Sequence, residues 1–222
     1  NAWEYSHQSD REDLKANSMK VFDSYLKNGF TPVGFFKESV DFDKGYEDPV
    51  HSIRRQSEGI YAMLHFLAYE KENGRRHPEW EQKMKNMLDI LLRLQQADGS
   101  FPRKFRDDFT IVDTSGGSTP SATLPLVMGY KYFKDKRYLA SAKQTADYLE
   151  KVLISKADYF SSTLDANCED KEASLYAATA TYYLSLITKG DEHRHYADLT
   201  KKAAYFALSW YYVWDVPFAQ GQ

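Results

Sequence analysis

Apolar residues recur along this chain at helical spacing, in segments of two kinds. In the first kind nearly every position is apolar, as in residues 59–69, 122–133 and 171–188. In the second kind apolar residues recur every three or four positions and polar residues fill the rest, as in 78–94 and 136–152. A helix that is apolar all round has no face for solvent, whereas an amphipathic helix has one. The pattern therefore predicts an all-α fold of alternating inner and outer helices.

Several helix ends carry recognisable signals. Ser9 and Glu12 form an S-x-x-E capping box, which predicts that the first outer helix begins there. Pro78 lies where a first helical turn tolerates proline, and Asp135 caps a tight turn before another outer helix. Pro125 interrupts an apolar segment, so that helix is expected to begin late or to be kinked. We expect about seven helices in a single domain, residues 1–222.

The connections differ in length according to their direction. Those from inner to outer helices are short, whereas those from outer to inner helices are long and cover 30–51, 100–120 and 154–169, with a fourth opening at 216. Antiparallel hairpins joined in this way place every long loop at the same end of the assembly. The three complete loops carry carboxylates and aromatic side chains, which predicts a pocket at that end.

Composition removes several classes of partner. The net charge is −3 without a dominant block of either sign, which gives no electrostatic footprint for nucleic acid or an anionic membrane, and no apolar run is long enough to span a bilayer. A single cysteine, Cys168, excludes a disulfide framework. The chain begins with Asn rather than Met, so a targeting segment could have been removed, which leaves a periplasmic or secreted location open.

One segment supports a family resemblance. Leu94-Gln95-Gln96-Ala97-Asp98-Gly99-Ser100-Phe101-Pro102 is similar to the Q-x-x-D-G-S-[FW] turn of six-hairpin glycosidases, which is also found in terpene cyclases. The alternation of inner and outer helices likewise resembles the (α/α)6 toroid of those polysaccharide-degrading enzymes. A full toroid needs twelve helices, so this chain resembles about half of one. The resemblance implies a carbohydrate substrate, and a ring completed by another segment or by the remainder of a larger chain.

The resemblance also implies a substrate funnel lined by the long loops and by the N-terminal ends of the inner helices. Glycoside hydrolysis needs a carboxylic acid to protonate the leaving oxygen and a second carboxylate to activate water or attack the anomeric carbon. The candidate catalytic residues are Asp113, Asp165, Glu169 and Asp170. The competing interpretation is structural, because carboxylates near a helix start also cap free N–H groups and stabilise the helix dipole.

A basic group near the same loops suits a substrate carboxylate such as a uronic acid, which arginine grips in a bidentate fork. The candidate substrate-binding residues are His51, Arg54, Arg55, Phe101, Arg103 and Ser118. Ser118 belongs to a turn-forming run, 113–120, whose backbone N–H groups could hold a hydroxyl or carboxylate. The alternative for the arginines is local ion pairing, such as Arg54 with Glu58 four residues later.

Other chemistries have weaker signals. Cys168 has no histidine near it in sequence, and His193 and His195 lie in a short turn at the end opposite the proposed funnel. The sequence has no H-E-x-x-H, Walker loop, dinucleotide fingerprint or D-D-x-x-D run, so we expect no metal and no cofactor.

Two classes of function are left open. The first is a glycoside hydrolase-like enzyme acting on a poly- or oligosaccharide, with a polysaccharide lyase on the same scaffold as a variant that would rely on Tyr, His and Arg. The second is a helical-repeat scaffold that holds a glycan or protein without turnover.

Overall fold

The computed structural model describes residues 2–41, 43, 45–160 and 168–211. Within these residues the helices are α1 (Ala2–Gln8), α2 (Glu12–Asn28), α3 (Ile53–Glu72), α4 (Pro78–Leu94), α5 (Thr119–Phe133), α6 (Lys136–Tyr148), α7 (Lys171–Ile187) and α8 (Gly190–Leu208). The chain of α6 continues as a π-helical segment, Leu149–Ile154. None of the helices in the described ranges is both long and apolar enough to cross a membrane.

The predicted alternation of inner and outer helices is confirmed. Helices α3, α5 and α7 are inner, since α5 packs against both α3 and α7, while α6 and α8 pack on the outside as hairpin partners of α5 and α7. Burial follows this order: α5 buries every residue from Thr119 to Gly129. The outer helix α4 instead buries a single stripe that includes Trp80, Met84, Leu88 and Leu91, at intervals of three and four residues.

Two of the long loops meet in a small antiparallel sheet. Strand β3 (Val50–Ser52) precedes α3, and strands β4 (Lys104–Arg106) and β5 (Ile111–Asp113) precede α5. The sheet order is β3-β4-β5, with His51 opposite Phe105. A two-stranded pair, β1 (Val40–Asp41) with β2 (Tyr46–Glu47), lies within the first loop. The sheet places the first two loops side by side at the N-terminal ends of α3 and α5, as the connection lengths predict.

The first helix boundary differs from the sequence prediction. The segment before Ser9 is itself helical, as α1, and the Ser9 hydroxyl donates to the Tyr5 carbonyl at 2.6 Å. Helix α2 begins at Glu12 with Arg11 at its N-cap and no side-chain cap. The predicted capping box is therefore wrong, because the Ser9 hydroxyl is already used at the end of α1.

Other boundaries agree with their signals. Pro78 lies in the first turn of α4, and the Asp135 carboxylate accepts from the Arg137 backbone N–H at 2.9 Å. Helix α5 does not begin late, however: it starts at Thr119 and continues through Pro125. Pro120 lies in its first turn, where a missing N–H costs nothing.

The turn on which the resemblance rests has a structural role here. Gly99 has a φ of +89°, and a Cβ there would lie 2.2 Å from the Gln144 carbonyl oxygen, so only glycine fits. The Asp98 carboxylate accepts from the backbone N–H and the hydroxyl of Ser100, and the Gln95 amide donates to the Thr145 hydroxyl. These contacts fix the end of α4 against α6.

Candidate active site

The first turns of α3 and α7 lie opposite each other at the long-loop end. On each helix a stripe of polar and aromatic residues recurs at helical spacing and reaches across to the other helix. The stripes are Arg54, Glu58 and Tyr61 on α3, and Glu172, Tyr176 and Tyr183 on α7. Helix α5 packs against both neighbours and begins with small residues, 118–123, which leaves room for these longer side chains.

Arg54 joins two carboxylates that belong to different helices. Its Nε donates to Glu58 Oε1 at 3.0 Å, and its Nη1 lies 2.8 Å from Glu172 Oε2. The Glu172 oxygen is buried and accepts no well-aligned hydrogen bond, so the charges attract without the directional bond that Glu58 has. We call Arg54, Glu58, Glu172 and Tyr176 the Arg54 cluster.

Tyr176 completes the cluster by donating its hydroxyl hydrogen bond to Glu58 Oε1. Burial, followed by the bond to Glu58, raises the pKa of Tyr176 to about 12, so the phenol remains a donor at neutral pH. Below it the hydroxyls of Tyr61 and Tyr183 bond to each other, and burial raises the pKa of Tyr61 as well. Glu58 therefore receives two donors, whereas Glu172 has one nearby cation.

The cluster is partly open to solvent. The side chains of Glu58 and Glu172 are 41% and 44% exposed, and that of Arg54 is 26% exposed. The net charge of the three is negative, and their carboxylates keep lone pairs that no described residue fills. Such an arrangement can bind hydroxyl groups and can exchange Arg54 for another partner.

Sequence reasoning missed most of this cluster. Arg54 was a candidate, but Glu58 entered only as its possible local partner, and Glu172 and Tyr176 were not singled out. The usable signal was the matching of two stripes, with residues 54, 58, 61 and 65 on one inner helix and 172, 176, 183 and 187 on another. Pairing the stripes requires knowing that α3 and α7 face each other.

Asp113 and Arg103 lie together in the second loop. Arg103 Nη1 is 3.7 Å from Asp113 Oδ2, and the Arg103 backbone N–H donates to the Asp113 carbonyl at 2.9 Å. Burial raises the pKa of Asp113, but hydrogen bonds from Ser115 and the charge of Arg103 outweigh it and leave the pKa below its ordinary value. Arg103 is itself buried, and its Nε and Nη2 atoms have no hydrogen-bond partner among the described residues.

Three further predicted binding residues are buried, as Arg103 is, rather than open to a substrate. The ring of His51 lies between Phe35 and Phe105, and its Nε2 bonds Asp107 Oδ1 at 2.8 Å. The ring of Phe101 is fully buried in the core, because this residue follows directly on the turn that fixes α4. Ser118 is also fully buried, at the N-cap of α5.

The run 113–120 is likewise packed instead of open. A Cβ on Gly116 would lie 2.1 Å from the Tyr148 hydroxyl, and the backbone N–H groups of Gly117 and Thr119 donate to carbonyls within the run itself. These two N–H groups are therefore occupied within the run and are not available to a substrate hydroxyl or carboxylate.

Arg55 points to a different carboxylate from Arg54. Its Nη1 donates to Glu38 Oε2 at 3.3 Å, and the guanidinium is half-exposed. Glu38 is buried and also accepts from the Ser52 backbone N–H and the Gln56 amide, so it stabilises the start of α3.

The third loop is described only in part. Asp165 lies outside the described residues. Asp170 is the N-cap of α7 and accepts from the Glu172 backbone N–H at 2.8 Å, which matches the capping interpretation. Glu169 is exposed, and its Oε2 accepts from the Tyr159 backbone N–H at 3.1 Å.

No group of three or more His, Cys, Asp or Glu residues in the described ranges is placed to hold a metal ion. His193 and His195 are separately engaged, with the Ser185 carbonyl and the Glu150 carboxylate. Cys168 is exposed and has no disulfide partner.

The architecture is that of part of an (α/α)6 toroid. The chain superposes on unsaturated glucuronyl hydrolase from Bacillus sp. GL1, which is responsible for glycosaminoglycan degradation, with a TM-score of 0.69 at 12% identity over 92% of this chain. A UGL variant with dGlcA-Glc-Rha-Glc gives 0.67 at 12% identity over 92% of the chain, and D-mannose isomerase gives 0.66 at 16% over 95%. The chain spans 58% of the length of each of these proteins. A scan against protein-family models found no match.

Proposed function

We propose that this chain carries the reaction centre of a glycoside hydrolase that acts on a poly- or oligosaccharide containing a uronic acid. The observation that supports this best is the Arg54 cluster, in which two half-exposed carboxylates from two inner helices flank one guanidinium. Both carboxylates approach one planar guanidinium to within 3.0 Å, so they are closer together than the roughly 9.5 Å upper limit for glycosidase pairs. The fold of the structural neighbours, whose names refer to sugar substrates, is consistent with this proposal.

The two carboxylates would take different roles because their surroundings differ. Glu58 accepts hydrogen bonds from both Arg54 and Tyr176, which hold its carboxylate in place, and we assign it as the base. Glu172 has only Arg54 near it. A glycosidase needs one carboxyl group of its pair as the acid, and we assign that role to Glu172 because Glu58 already has two donors.

Arg54 connects the charge of the substrate with the acid role assigned to Glu172. A uronate carboxylate in the funnel would compete for the guanidinium, which binds carboxylates in a bidentate fork. When Arg54 turns toward the substrate, Glu172 loses its ion-pair partner. The substrate carboxylate would thereby release Glu172 for its role as the acid.

Glu172 and Glu58 act together in the hydrolytic step. Glu172 donates its proton to the glycosidic oxygen as the bond from that oxygen to the anomeric carbon breaks. Glu58 accepts a proton from a water molecule whose oxygen bonds to the same carbon, which releases a hemiacetal and an alcohol. The proton on Glu58 returns to Glu172 through solvent, and both groups recover their starting state.

The loop residues chosen from the sequence have supporting roles in this proposal. Asp113, Asp165, Glu169 and Asp170 are candidates for hydroxyl binding or for a second carboxylate position, and the half-exposed Arg55 and the buried Arg103 for additional positive charge. The double substitution Glu169→Gln with Asp170→Asn tests the third loop. Lost turnover in a folded protein would support a catalytic role there, and lost folding would support capping.

Further helices would complete the ring. Helix α7 carries the exposed apolar residues Leu175 and Tyr182, and α8 exposes Tyr205 and Leu208. The hairpin α7–α8 covers α5, and we infer that another hairpin of the same kind covers α7. Since the ring is incomplete here, that hairpin would also contribute to the far wall of the funnel.

The test is a product screen by mass spectrometry on neutral and uronate-containing polysaccharides, with ultraviolet absorbance recorded in parallel. Saturated products that disappear with Glu172→Gln would support the hydrolase, and unsaturated uronate products would indicate the lyase. Glu192→Gln is the matched control, because Glu192 is 42% exposed and pairs with Lys143 on the outer layer. No product from a folded protein would favour the glycan- or protein-binding scaffold.

A further inference from the structure

A cavity of about 1130 Å³ lies along the C-terminal halves of the inner helices, below the Arg54 cluster. Helices α1 and α2 form one wall, through Trp3 and Phe22, and α3 contributes Phe66. Helix α7 closes the other side with Tyr183 and Leu186. The volume is slightly above the roughly 300–1,000 Å³ typical of ligand sites.

The cavity lies next to the candidate active site. Gly59 lies in the cavity wall directly after Glu58 in the chain, and the hydrogen-bonded pair Tyr61 and Tyr183 lines the cavity as well. A substrate held at the Arg54 cluster would therefore have one end directed toward this space.

The lining suits an apolar group better than a sugar. Aromatic and aliphatic side chains make up most of the wall, whereas sugar hydroxyls require many hydrogen-bonding partners. The rings of Trp3, Phe22 and Phe66 already contact one another at centroid distances of 4.3–6.3 Å and present an aromatic surface.

The charged groups of the wall do not favour a charged ligand. Lys131 contributes one positive charge, and Glu4 and Glu72 contribute two negative charges. His65 lies in the same wall, and partial burial together with the nearby Lys131 lowers its pKa, which favours the neutral imidazole. Neither sign dominates, so a neutral group fits best.

We propose that this cavity receives a neutral, ring-bearing apolar group attached to the sugar, such as the aromatic aglycone of a glycoside. The binding of an apolar ring is inferred from the lining residues alone. The assignment of the cavity as an aglycone pocket rests on the proposed function. The preferred substrates would then be aryl glycosiduronic acids or glycans that carry an aromatic substituent.

Binding is tested by calorimetry with 2-naphthol and the 222-residue chain. Ala62 is exposed and lines the cavity, so Ala62→Trp places an indole in the space that the ligand needs. We expect one 2-naphthol per chain and at least a tenfold loss of affinity in Ala62→Trp. The matched control is Ala140→Trp on the exposed side of α6, where affinity should stay within twofold.

A second variant tests the same cavity in case Ala62→Trp does not fold. Leu186 is 59% exposed and lines the cavity, so Leu186→Ala removes a wall contact without disturbing the core. Weaker 2-naphthol binding in this variant supports the proposal. Absent binding in the wild type, unchanged binding in Ala62→Trp, or tighter binding of 2-naphthoate than of 2-naphthol would overturn it.

The aglycone assignment is tested with 2-naphthyl and methyl glucosiduronic acids. We expect a kcat/KM at least tenfold higher for the naphthyl compound, and Ala62→Trp should remove this preference. Specific 2-naphthol binding without cleavage of either compound would leave the cavity as a binding site and defeat the proposed function. Cleavage of both at equal rates without 2-naphthol binding would defeat the cavity proposal alone.

Discussion

Helix α3 carries two clusters of similar composition near its two ends, and they differ in how fully their carboxylates are satisfied. Near its C-terminal end Glu70 is 1% exposed and accepts from the Trp3 indole at 2.7 Å, from His77 at 2.8 Å and from Arg75 through both oxygens at 2.5 and 2.9 Å. Near its N-terminal end Glu58 and Glu172 share one arginine and remain more than 40% exposed. The same combination of arginine, acidic and aromatic residues is thus structural around Glu70 and forms a candidate site around Arg54.

The two clusters differ because their carboxylates differ in solvent exposure and in the number of hydrogen bonds that they accept. Both Glu70 oxygens are used, and the bonds tie α1 to the turn between α3 and α4. A ligand would have to break several charge-assisted bonds to enter that cluster. The Arg54 cluster has vacant acceptor positions and one cation shared by two partly exposed carboxylates, so a ligand can replace Arg54 at lower cost.

The comparison predicts the largest effect on stability at Glu70. Glu70→Gln should reduce the free energy of unfolding by about 3–5 kcal/mol, because it leaves Arg75 and His77 without their buried counter-charge. Glu58→Gln should cost less than about 1 kcal/mol, because that ion pair is partly exposed. Urea unfolding of both variants and the wild type measures the two values. Equal losses would contradict the distinction between a closed and an open cluster.

The lowered pKa of Glu70 makes the stability of the protein depend on pH. Burial raises the pKa of Glu70, but the bonds from Arg75, His77 and Trp3 outweigh it and lower the pKa from 4.5 to about 2. The ionised group therefore stabilises the fold fully above pH 4.5, and this contribution is lost as the pH falls from 4.5 toward 2. The stability gap between the wild type and Glu70→Gln should be constant above pH 4.5 and narrow below it. A gap that widens on acidification would disagree with the assigned direction.

Substitutions in the open cluster should affect turnover instead. Glu58→Gln should lower kcat on a uronate-containing substrate by roughly 10²–10³-fold, in the range reported for loss of a general acid or base. Tyr176→Phe should have a smaller effect, since it removes one hydrogen bond to Glu58. Steady-state kinetics with circular dichroism as the folding control separates these effects. Full activity in Glu58→Gln would exclude it as the base.

Gly59 tests how tightly the open cluster is held in place. A Cβ at this position would lie 2.5 and 2.7 Å from ring carbons of Phe36, which is buried. Gly59→Ala should therefore destabilise the protein by about 1–2 kcal/mol despite the better helix propensity of alanine. Thermal unfolding shows whether the substitution lowers or raises the stability. A higher midpoint temperature in Gly59→Ala would show that Phe36 moves aside easily.

The smallest expected effect concerns the start of α7, on which Glu172 lies. Asp170→Ala should cost about 1 kcal/mol, since it removes the acceptor for the Glu172 backbone N–H. Asp170→Asn retains a capping oxygen and should cost much less. If both substitutions abolish turnover at unchanged stability, Asp170 acts in catalysis and not only as a cap.

Much of the fold follows from local pattern, as particular elements show. The three-and-four spacing of Trp80, Met84 and Leu88 identifies α4 as an outer helix, and the continuous apolar run in 122–133 identifies α5 as inner. Helix α1 was missed, because its seven residues carry no apolar stripe and its indole and imidazole rings contact α3 instead.

The site was harder to predict because it depends on contacts between distant segments. Arg54 was identified from its position after a long loop, but its partner Glu172 lies 118 residues later in the chain. Phe101 and His51 occur in loops and look exposed in the sequence, yet the small sheet and the turn after α4 bury them. Burial of loop residues is a property of the assembled fold, and periodicity within one segment carries no information about it.

The measurement that tests the central claim most directly is a titration of arginine Nε–Hε resonances with D-glucuronate, using ¹⁵N-arginine-labelled protein. Substitutions of Arg54 and Arg75 to lysine assign the two signals. The Arg54 resonance should shift in a saturable manner, while the Arg75 resonance should not move. An unmoved Arg54 resonance at saturating glucuronate, or equal shifts at both arginines, would contradict the claim that the open cluster is the site.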